Sequence, residues 1–163
     1  MDRDFVRVDS PLGCFTAEVV DGAVCRAGFD DWVTAPRDIP PARGAAPVRD
    51  ALAAYFSGAV DALDELPVEA GGTRFQRRVW ALLRDIPPGE TRSYGELASA
   101  LGSPGAARAV GMANASNPVA LIVPCHRVVR TGGEIGGYAG GVERKRWLLD
   151  HEYRSKTAAV TTP

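Results

Sequence analysis

The chain has 163 residues, of which 45% are hydrophobic and 24% are charged, with a formal net charge of −1 at pH 7. This composition is typical of a globular protein with one ordinary domain or two small ones, and it excludes a low-complexity chain. The opening MDRDFVRVDS lacks the apolar core of a signal peptide, and no apolar run approaches the roughly 20 residues that cross a bilayer. We therefore expect a cytoplasmic protein that makes no membrane contact.

The net charge conceals a difference between the two halves of the chain. Residues 1–72 hold 6 basic and 13 acidic side chains, whereas residues 73–163 hold 13 basic and 7 acidic ones. The halves therefore carry charges of −7 and +6. Such asymmetry suggests an acidic domain joined to one that meets a polyanion, although chance clustering of charges would give the same numbers.

Three cysteines, Cys14, Cys25 and Cys125, make an odd number without CxxC spacing. This pattern indicates reduced thiols in the cytoplasm and not a disulfide framework. Cys14 and Cys25 could supply two metal ligands, but neither histidine lies in the first half of the chain to complete a set. We therefore expect no zinc site there.

Residues 5–29 are predicted to form β structure. The pair Asp21-Gly22 lies between two apolar runs and predicts a hairpin, because both turn positions tolerate positive φ. Residues 34–46 are rich in Pro, Arg and Gly and predict a loop, after which Pro47 can open a helix at its first position. The apolar face of that helix comprises Leu52, Tyr55 and Phe56.

A domain boundary is predicted at Gly71-Gly72, after an acidic and irregular stretch at 59–72. Thr73 is the predicted N-cap of a helix that stops near Ile86, because Pro87-Pro88-Gly89 cannot continue it. Apolar residues recur at helical spacing along it, namely Phe75, Val79, Leu82 and Leu83.

A helix-turn-helix is predicted next. Ser93 and Glu96 make a capping box for a helix at 94–101, and Gly102 ends it. Ser103 and Pro104 then cap and open a third helix, so that two helices flank a tight glycine-containing turn.

The third helix is built almost entirely of small residues, with one long cation, Arg108. Small side chains allow a helix to approach a groove closely, which favours backbone contact and entry into the minor groove of DNA. The alternative is an alanine-rich helix packed between neighbours with Arg108 in solvent, since alanine is simply the best helix former.

The segment NPVALIVPCHRVVRT at 117–131 carries the most distinctive chemistry. Val119 to Val123 predicts a short, fully buried strand. Pro124 cannot donate to a sheet ladder, so the strand should stop there and leave Cys125 at its mouth, beside His126.

The simplest alternative is that Cys125 is a small, inert core residue, since free cysteine is among the most buried residue types. Against it, His126 is one of only two histidines in the chain. Arg127 and Arg130 also make the surroundings electropositive, which would favour a thiolate.

A glycine-rich stretch at 131–141 could lie against a flat ligand through its backbone, or could simply be a mobile surface loop. A last helix, VERKRWLLDHE, is predicted to end near Glu152. The tail from Ser155 has no apolar face, so residues 155–163 are predicted to be disordered.

Taken together, PCHRV after NPVALIV, followed by GGYAGG and WLLDHE, resembles the O6-alkylguanine-DNA alkyltransferase family, the methylated-DNA–protein-cysteine methyltransferases. The resemblance is dense from Thr73 to Glu152 and looser over residues 1–72. It implies an α/β (α+β) fold: a small acidic amino-terminal α/β domain of ribonuclease-H-like topology at 1–72, then a mainly helical domain at 73–154 with the helix-turn-helix and the site.

The implied activity is DNA repair by direct reversal, in which an alkyl group passes irreversibly from O6-alkylguanine in double-stranded DNA to a cysteine. Free cysteine is only about a tenth ionised at pH 7.5, and the family ionises it through a Cys–water–His–Glu relay. By resemblance the relay is Cys125, His126 and Glu152, with Glu152 orienting the imidazole. The thioether product has no leaving group that water could displace, so the protein should act once, without cofactor or metal.

The target carbon lies inside a duplex, so the nucleotide must be extruded. By resemblance Arg108 is the finger that fills the vacated stack from the minor groove. Tyr94 helps to rotate the nucleotide and hydrogen-bonds the flipped base. Asn117 is the hinge that ties the helix-turn-helix to the cysteine segment.

The same resemblance assigns the rest of the base pocket. Tyr138 and the backbone at Ala139 belong to the loop that closes over the base, Val128 contributes its carbonyl, and Lys145 lies near the pocket. For Tyr138 and Lys145 taken singly, ordinary packing is the more common role. A family serine is often found where this chain has Ala139, which could shift substrate preference if the hydroxyl makes the contact.

The expected partner is double-stranded DNA containing O6-alkylguanine, and the protein is expected to bind it as a monomer. O4-methylthymine is expected to be a poorer substrate. Three alternatives differ in what they predict. A binding-only relative would lack the nucleophile, a transcription factor would read one operator through the major groove, and a thiol hydrolase would turn over an ester or peptide repeatedly.

Overall fold

The computed structural model describes residues 2–39 and 44–161. The chain divides into two compact units. The first comprises Met1–Gly71 and Pro118–Ile122, and the second comprises Gly72–Asn117 and Val123–Pro163. The sequence interpretation did not include the return of residues 118–122 to the first unit.

An antiparallel meander of three strands forms the sheet of the first unit. These are β1 (Arg3–Ser10), β2 (Gly13–Val20) and β3 (Ala23–Phe29), in that order across the sheet. Asp21 and Gly22 have φ of 49° and 85°, and positive φ at both positions is what a type I′ hairpin turn requires. The predicted hairpin is therefore confirmed.

Helix α1 (Ala46–Phe56) covers the sheet, with Pro47 in its first turn. Its Leu52 and Tyr55 are completely buried, as is Phe15 of β2, so the helix and the sheet share one apolar core. The predicted loop at 34–46 has no regular structure at 34–39, and its residues 40–43 lie outside the described residues.

The second unit begins with two helices that start at the predicted caps. Helix α2 (Arg74–Arg84) has a capping box between Thr73 and Gln76, and helix α3 (Tyr94–Ala100) has one between Ser93 and Glu96. Two short parallel strands, β4 (Arg92–Ser93) and β5 (Val128–Val129), pair beside α3. Cap signals are local, which is why the sequence located both helix starts to the residue.

The turn between α3 and the next helix differs from the prediction. Gly102 has a φ of 77° and ends α3 as expected. Residues Pro104–Ala106 form a 3-10 turn, however, and the Ser103 side chain caps nothing. Helix α4 therefore starts later, at Ala107–Ala115, and completes the helix-turn-helix with α3.

The predicted strand at 119–123 is wrong, although all five residues are buried as expected. Val119 pairs with Ala27 in an isolated bridge, and Leu121 then adopts a φ of 72°. The hydrogen bond from Ile122 N to Ala120 O, 2.8 Å long, closes a three-residue γ-turn around Leu121. A run of apolar residues predicts that the segment is buried, but it does not reveal a turn within the segment.

The predicted disordered tail is also wrong over the residues described. Helix α5 runs from Val142 to Thr161 and does not end near Glu152. Arg154 Nε and Asp150 Oδ2, one helical turn apart, form an ion pair 3.0 Å long just before this tail. Extending a helix that packing has already nucleated costs little, so no apolar face is needed there. Residues 162–163 lie outside the described residues.

None of the helices within residues 2–39 and 44–161 is both long and apolar enough to cross a membrane.

Candidate active site

Pro124 shapes the backbone that presents the cysteine. Its φ and ψ are −81° and 67°, and a hydrogen bond from Cys125 N to Val123 O, 2.8 Å long, closes an inverse γ-turn. The proline ring holds φ in this range by itself. A 3-10 turn, Cys125–Arg127, follows directly, so the three side chains of the CHR motif point in different directions.

Cys125 is only 4% exposed. Burial raises the pKa of its thiol, while hydrogen bonding by the Asn117 side chain and the charge of Lys145 act in the opposite direction. The expectation that Cys125 surfaces at the end of the segment is therefore wrong, and the side chains that favour its thiolate are Asn117 and Lys145 and not Arg127 and Arg130. Since desolvation penalises the thiolate, the site needs a base and a nearby cation to form it.

His126 and Glu152 supply the base. His126 Nε2 lies 2.7 Å from Glu152 Oε2, and both side chains are completely buried. Burial lowers the pKa of His126 despite the carboxylate beside it, so the imidazole is neutral near pH 7. With Nε2 donating to the carboxylate, the lone pair of the neutral ring is on Nδ1.

The sequence interpretation missed the partner of Glu152. Arg127 Nε and Nη2 donate to the two carboxylate oxygens at 2.8 and 3.0 Å, and Nη1 donates to the Ile86 carbonyl at 2.7 Å. Burial alone would raise the pKa of Glu152, but His126 and Arg127 outweigh it and hold that pKa far below its ordinary value. The signal available in the sequence was an arginine in an otherwise apolar segment, where a charge needs a partner.

Lys145 on α5 is buried and ties two backbone segments together. Its Nζ donates to the Val128 carbonyl at 2.6 Å and to the Gly137 carbonyl at 3.0 Å. Burial lowers its pKa to about 8, although a charged Cys125 would raise it. Lys145 therefore places a positive charge near the thiol. It also binds the Val128 carbonyl, which the resemblance assigns to the base pocket.

The glycine-rich loop approaches this lysine closely at Gly136, which has a φ of 72°. A Cβ at Gly136 would lie 3.5 Å from Lys145 Nζ and 3.6 Å from Tyr94 Oη. Burial raises the pKa of Tyr94, and a charged Cys125 raises it further. The loop, Tyr94 and Lys145 therefore lie close together, within electrostatic reach of the cysteine.

Tyr138 lies beside His126. Its ring meets that of His126 edge to face, with centroids 6.5 Å apart. Burial raises the pKa of its hydroxyl well above the ordinary value, and a charged Cys125 adds to this. Two phenols, Tyr94 and Tyr138, therefore lie near the thiol.

Asn117 is buried just after α4, and its Nδ2 donates to the Val123 carbonyl at 2.8 Å. This bond ties the end of the helix-turn-helix to the γ-turn that presents the cysteine. Two predicted residues are not brought to the thiol: Arg108 and Ala139 are exposed, on α4 and on the glycine-rich loop. The arrangement combines a buried nucleophile, a neutral base and a cation, with two exposed elements that could contact a large substrate.

Residues 74–154 match the family model described as 6-O-methylguanine DNA methyltransferase, DNA binding domain. A protein of Mycolicibacterium paratuberculosis, named methylated-DNA–protein-cysteine methyltransferase, is 43% identical over 97% of each chain. The chain belongs to the methylated-DNA–protein-cysteine methyltransferase family. The resemblance predicted from the sequence is thereby confirmed.

Other members of the methyltransferase family match this chain in sequence or structure over different shares of its length. The Shigella flexneri protein of the same name is 58% identical, but the match covers 63% of this chain and 60% of that one. The crystal structure of Mycobacterium tuberculosis OGT in complex with DNA has a TM-score of 0.79 and 42% identity, and covers 93% of this chain and 94% of that one. This similarity confirms the predicted mixed α/β fold.

Proposed function

We propose that the protein repairs DNA by moving an alkyl group from O6 of guanine in double-stranded DNA to the sulfur of Cys125. The observation that carries the proposal is the buried chain Arg127–Glu152–His126 beside that cysteine. It leaves a neutral imidazole whose Nδ1 accepts a proton. The family to which the chain belongs, and the DNA complex of the M. tuberculosis relative, support this assignment.

In the first step Cys125 loses its proton, through an intervening water molecule, to His126 Nδ1. Glu152 stabilises the imidazolium that forms, and the ion pair with Arg127 keeps Glu152 ionised. The positive charge of Lys145 favours the thiolate. Ionisation therefore depends on buried partners and not on solvent exposure.

In the second step the thiolate attacks the alkyl carbon in line with its bond to O6. A carbon–sulfur bond forms, the carbon–oxygen bond breaks, and its electron pair goes to the guanine. The proton held by His126 returns to the leaving base, so the products are an ordinary guanine and S-alkylcysteine. Because a thioether is a poor electrophile, each molecule acts once.

The lesion must leave the base stack to reach a thiol this deeply buried. We assign Arg108, exposed on α4, to the minor groove as the residue that occupies the vacated stack. Tyr94, Tyr138 and the backbone around Ala139 then enclose the base, and Val128 offers its carbonyl. O4-methylthymine presents the same alkyl–oxygen bond, and we expect it to be accepted less well.

Intact-mass measurement after mixing the protein with a duplex containing O6-methylguanine tests the proposal. We expect a gain of one methylene group, located at Cys125 by peptide mapping, and no further repair when more duplex is added. Cys125→Ala should gain no mass and should still bind DNA. Binding without mass gain in the wild-type protein would indicate a recognition protein, and repeated turnover of an ester or peptide would indicate a thiol hydrolase.

A further inference from the structure

Among the described residues, three buried side-chain atoms able to form hydrogen bonds have no partner: Asn114 Oδ1, His126 Nδ1 and Tyr138 Oη. All three belong to side chains around Cys125. His126 follows it directly, a charged Cys125 acts on Tyr138, and Asn114 Nδ2 donates to the Cys125 carbonyl at 3.3 Å. Buried polar atoms are normally paired, so a cluster of unpaired ones at one place indicates a site for a polar ligand.

The proposed reaction uses two of these atoms and leaves one unexplained. His126 Nδ1 is the base, and Tyr138 closes over the extruded nucleotide. Asn114 has no assignment, although it is only 6% exposed and lies within α4. Asparagine is a poor helix former, and an unpaired buried acceptor is unfavourable, so folding alone does not explain this residue.

The identity of the free atom follows from the contact that Asn114 makes. A backbone carbonyl can only accept a hydrogen bond, so the end of the carboxamide that faces the Cys125 carbonyl must be the amide nitrogen. The remaining atom is therefore the oxygen, an acceptor. It belongs to a carboxamide held against the backbone of the nucleophile itself.

O6-alkylguanine offers such an acceptor only one kind of donor on its base. Its ring nitrogens N1 and N3 are acceptors and its O6 is alkylated, so the exocyclic 2-amino group is the only donor available inside the pocket. We propose that Asn114 reads this group: Oδ1 accepts a hydrogen bond from the 2-amino group of the extruded base, while Nδ2 holds the Cys125 carbonyl. The inference rests on the proposed function and adds a specificity-determining residue to it.

Asn114 also lies on the same helix as Arg108, which is exposed. The helix that enters the minor groove, α4, would therefore also contact the base that it displaces. An alkylated base without the amino group would leave the Asn114 oxygen unpaired beside the nucleophile, and its transfer would be slower for that reason.

Two duplexes that differ in a single group test the proposal, one with O6-methylguanine and one with O6-methylhypoxanthine, which lacks the 2-amino group. We expect the wild-type protein to transfer the methyl group roughly tenfold faster from the guanine duplex, the range of a single lost hydrogen bond. Asn114→Leu, similar in size but without an acceptor, should lower this ratio severalfold, toward one, by slowing transfer from guanine. Ser116→Ala, exposed beyond the end of α4, should keep the wild-type ratio.

The ratio is taken within one preparation, so a smaller folded fraction of a variant does not change it. Asn114→Ala provides a second measurement and should give the same loss of preference. Equal slowing on both duplexes, an unchanged ratio, or a wild-type ratio of one would each overturn the proposal. If the wild-type protein gained no methyl group from either duplex, the proposed function itself would fail, which is a separate result.

Discussion

Arg127 and Glu152 form a two-point ion pair in the interior, with Nε 2.8 Å from Oε1 and Nη2 3.0 Å from Oε2. The pair joins the segment that carries the nucleophile to α5. Because Glu152 Oε2 also contacts His126 at 2.7 Å, one carboxylate connects the structural arginine with the base. The stability of this unit and its chemistry therefore depend on the same contacts.

Removal of Arg127 should destabilise the protein strongly. Arg127→Met leaves the Glu152 carboxylate buried without its cation, and breaking a buried pair in this way costs roughly 3–5 kcal/mol. The matched control is Arg154→Ala, which breaks an ion pair to Asp150 of similar length between side chains 79% and 57% exposed. Arg154→Ala should lower the free energy of unfolding by no more than about 1 kcal/mol. Urea unfolding of both variants measures the difference, and equal losses would contradict the expectation.

Because of Glu152, the free energy of unfolding should depend on pH in the acid range. Its pKa is lowered on folding, so its contribution is fully present above the unfolded pKa of about 4.3 and is lost as the pH falls toward the lower folded value. The free energy of unfolding of the wild-type protein should decline below about pH 5. Glu152→Gln removes the titrating group and should flatten this part of the profile. A variant with the same acid dependence as the wild type would assign that dependence to other carboxylates.

Lys145 should set the pH at which the thiol becomes reactive. Lys145→Met removes a positive charge that lowers the pKa of Cys125, and an opposite charge close by typically shifts a pKa by about 1–3 units. Methyl transfer at pH 7 should fall roughly tenfold or more, and the pH–rate profile should move to higher pH. Arg146→Met, exposed at the next position, is the control and should leave the profile in place. A rate loss without a shift in the profile would assign Lys145 to loop positioning alone.

Arg108 should contribute to DNA binding through charge and through the opened stack. Arg108→Ala should reduce by about one the slope of log binding constant against log salt. It should also slow repair in duplex DNA far more than reaction with the free base. Equal slowing on both substrates would rule out the finger assignment.

Met112 offers a neutral comparison on the same helix face, one turn after Arg108 and 70% exposed. An apolar side chain at a minor groove contributes contact area without releasing counterions. Met112→Ala should therefore weaken duplex binding severalfold with an unchanged salt slope. Tyr153→Ala, 64% exposed on α5, should change neither quantity.

Local signals in the sequence determined much of this protein. The hairpin at Asp21-Gly22 and the helix starts at Thr73 and Ser93 follow from side chains that satisfy their own neighbouring backbone, so a short window of sequence contains the whole interaction. The Cys125-His126 pair likewise places nucleophile and base together through the covalent chain. These features and the family resemblance required no knowledge of distant contacts.

Tertiary structure decided what depends on residues far apart in the chain. Arg127 pairs with Glu152, 25 positions away, and Lys145 bonds Val128, 17 positions away. Residues 118–122 join the first unit through backbone hydrogen bonds to Ala27. Burial of Cys125 raises the pKa of its thiol, and the groups that act against this are Asn117 and Lys145 and not the neighbouring arginines. Desolvation and ion pairing depend on which groups fold together, and no local pattern of residue types specifies that.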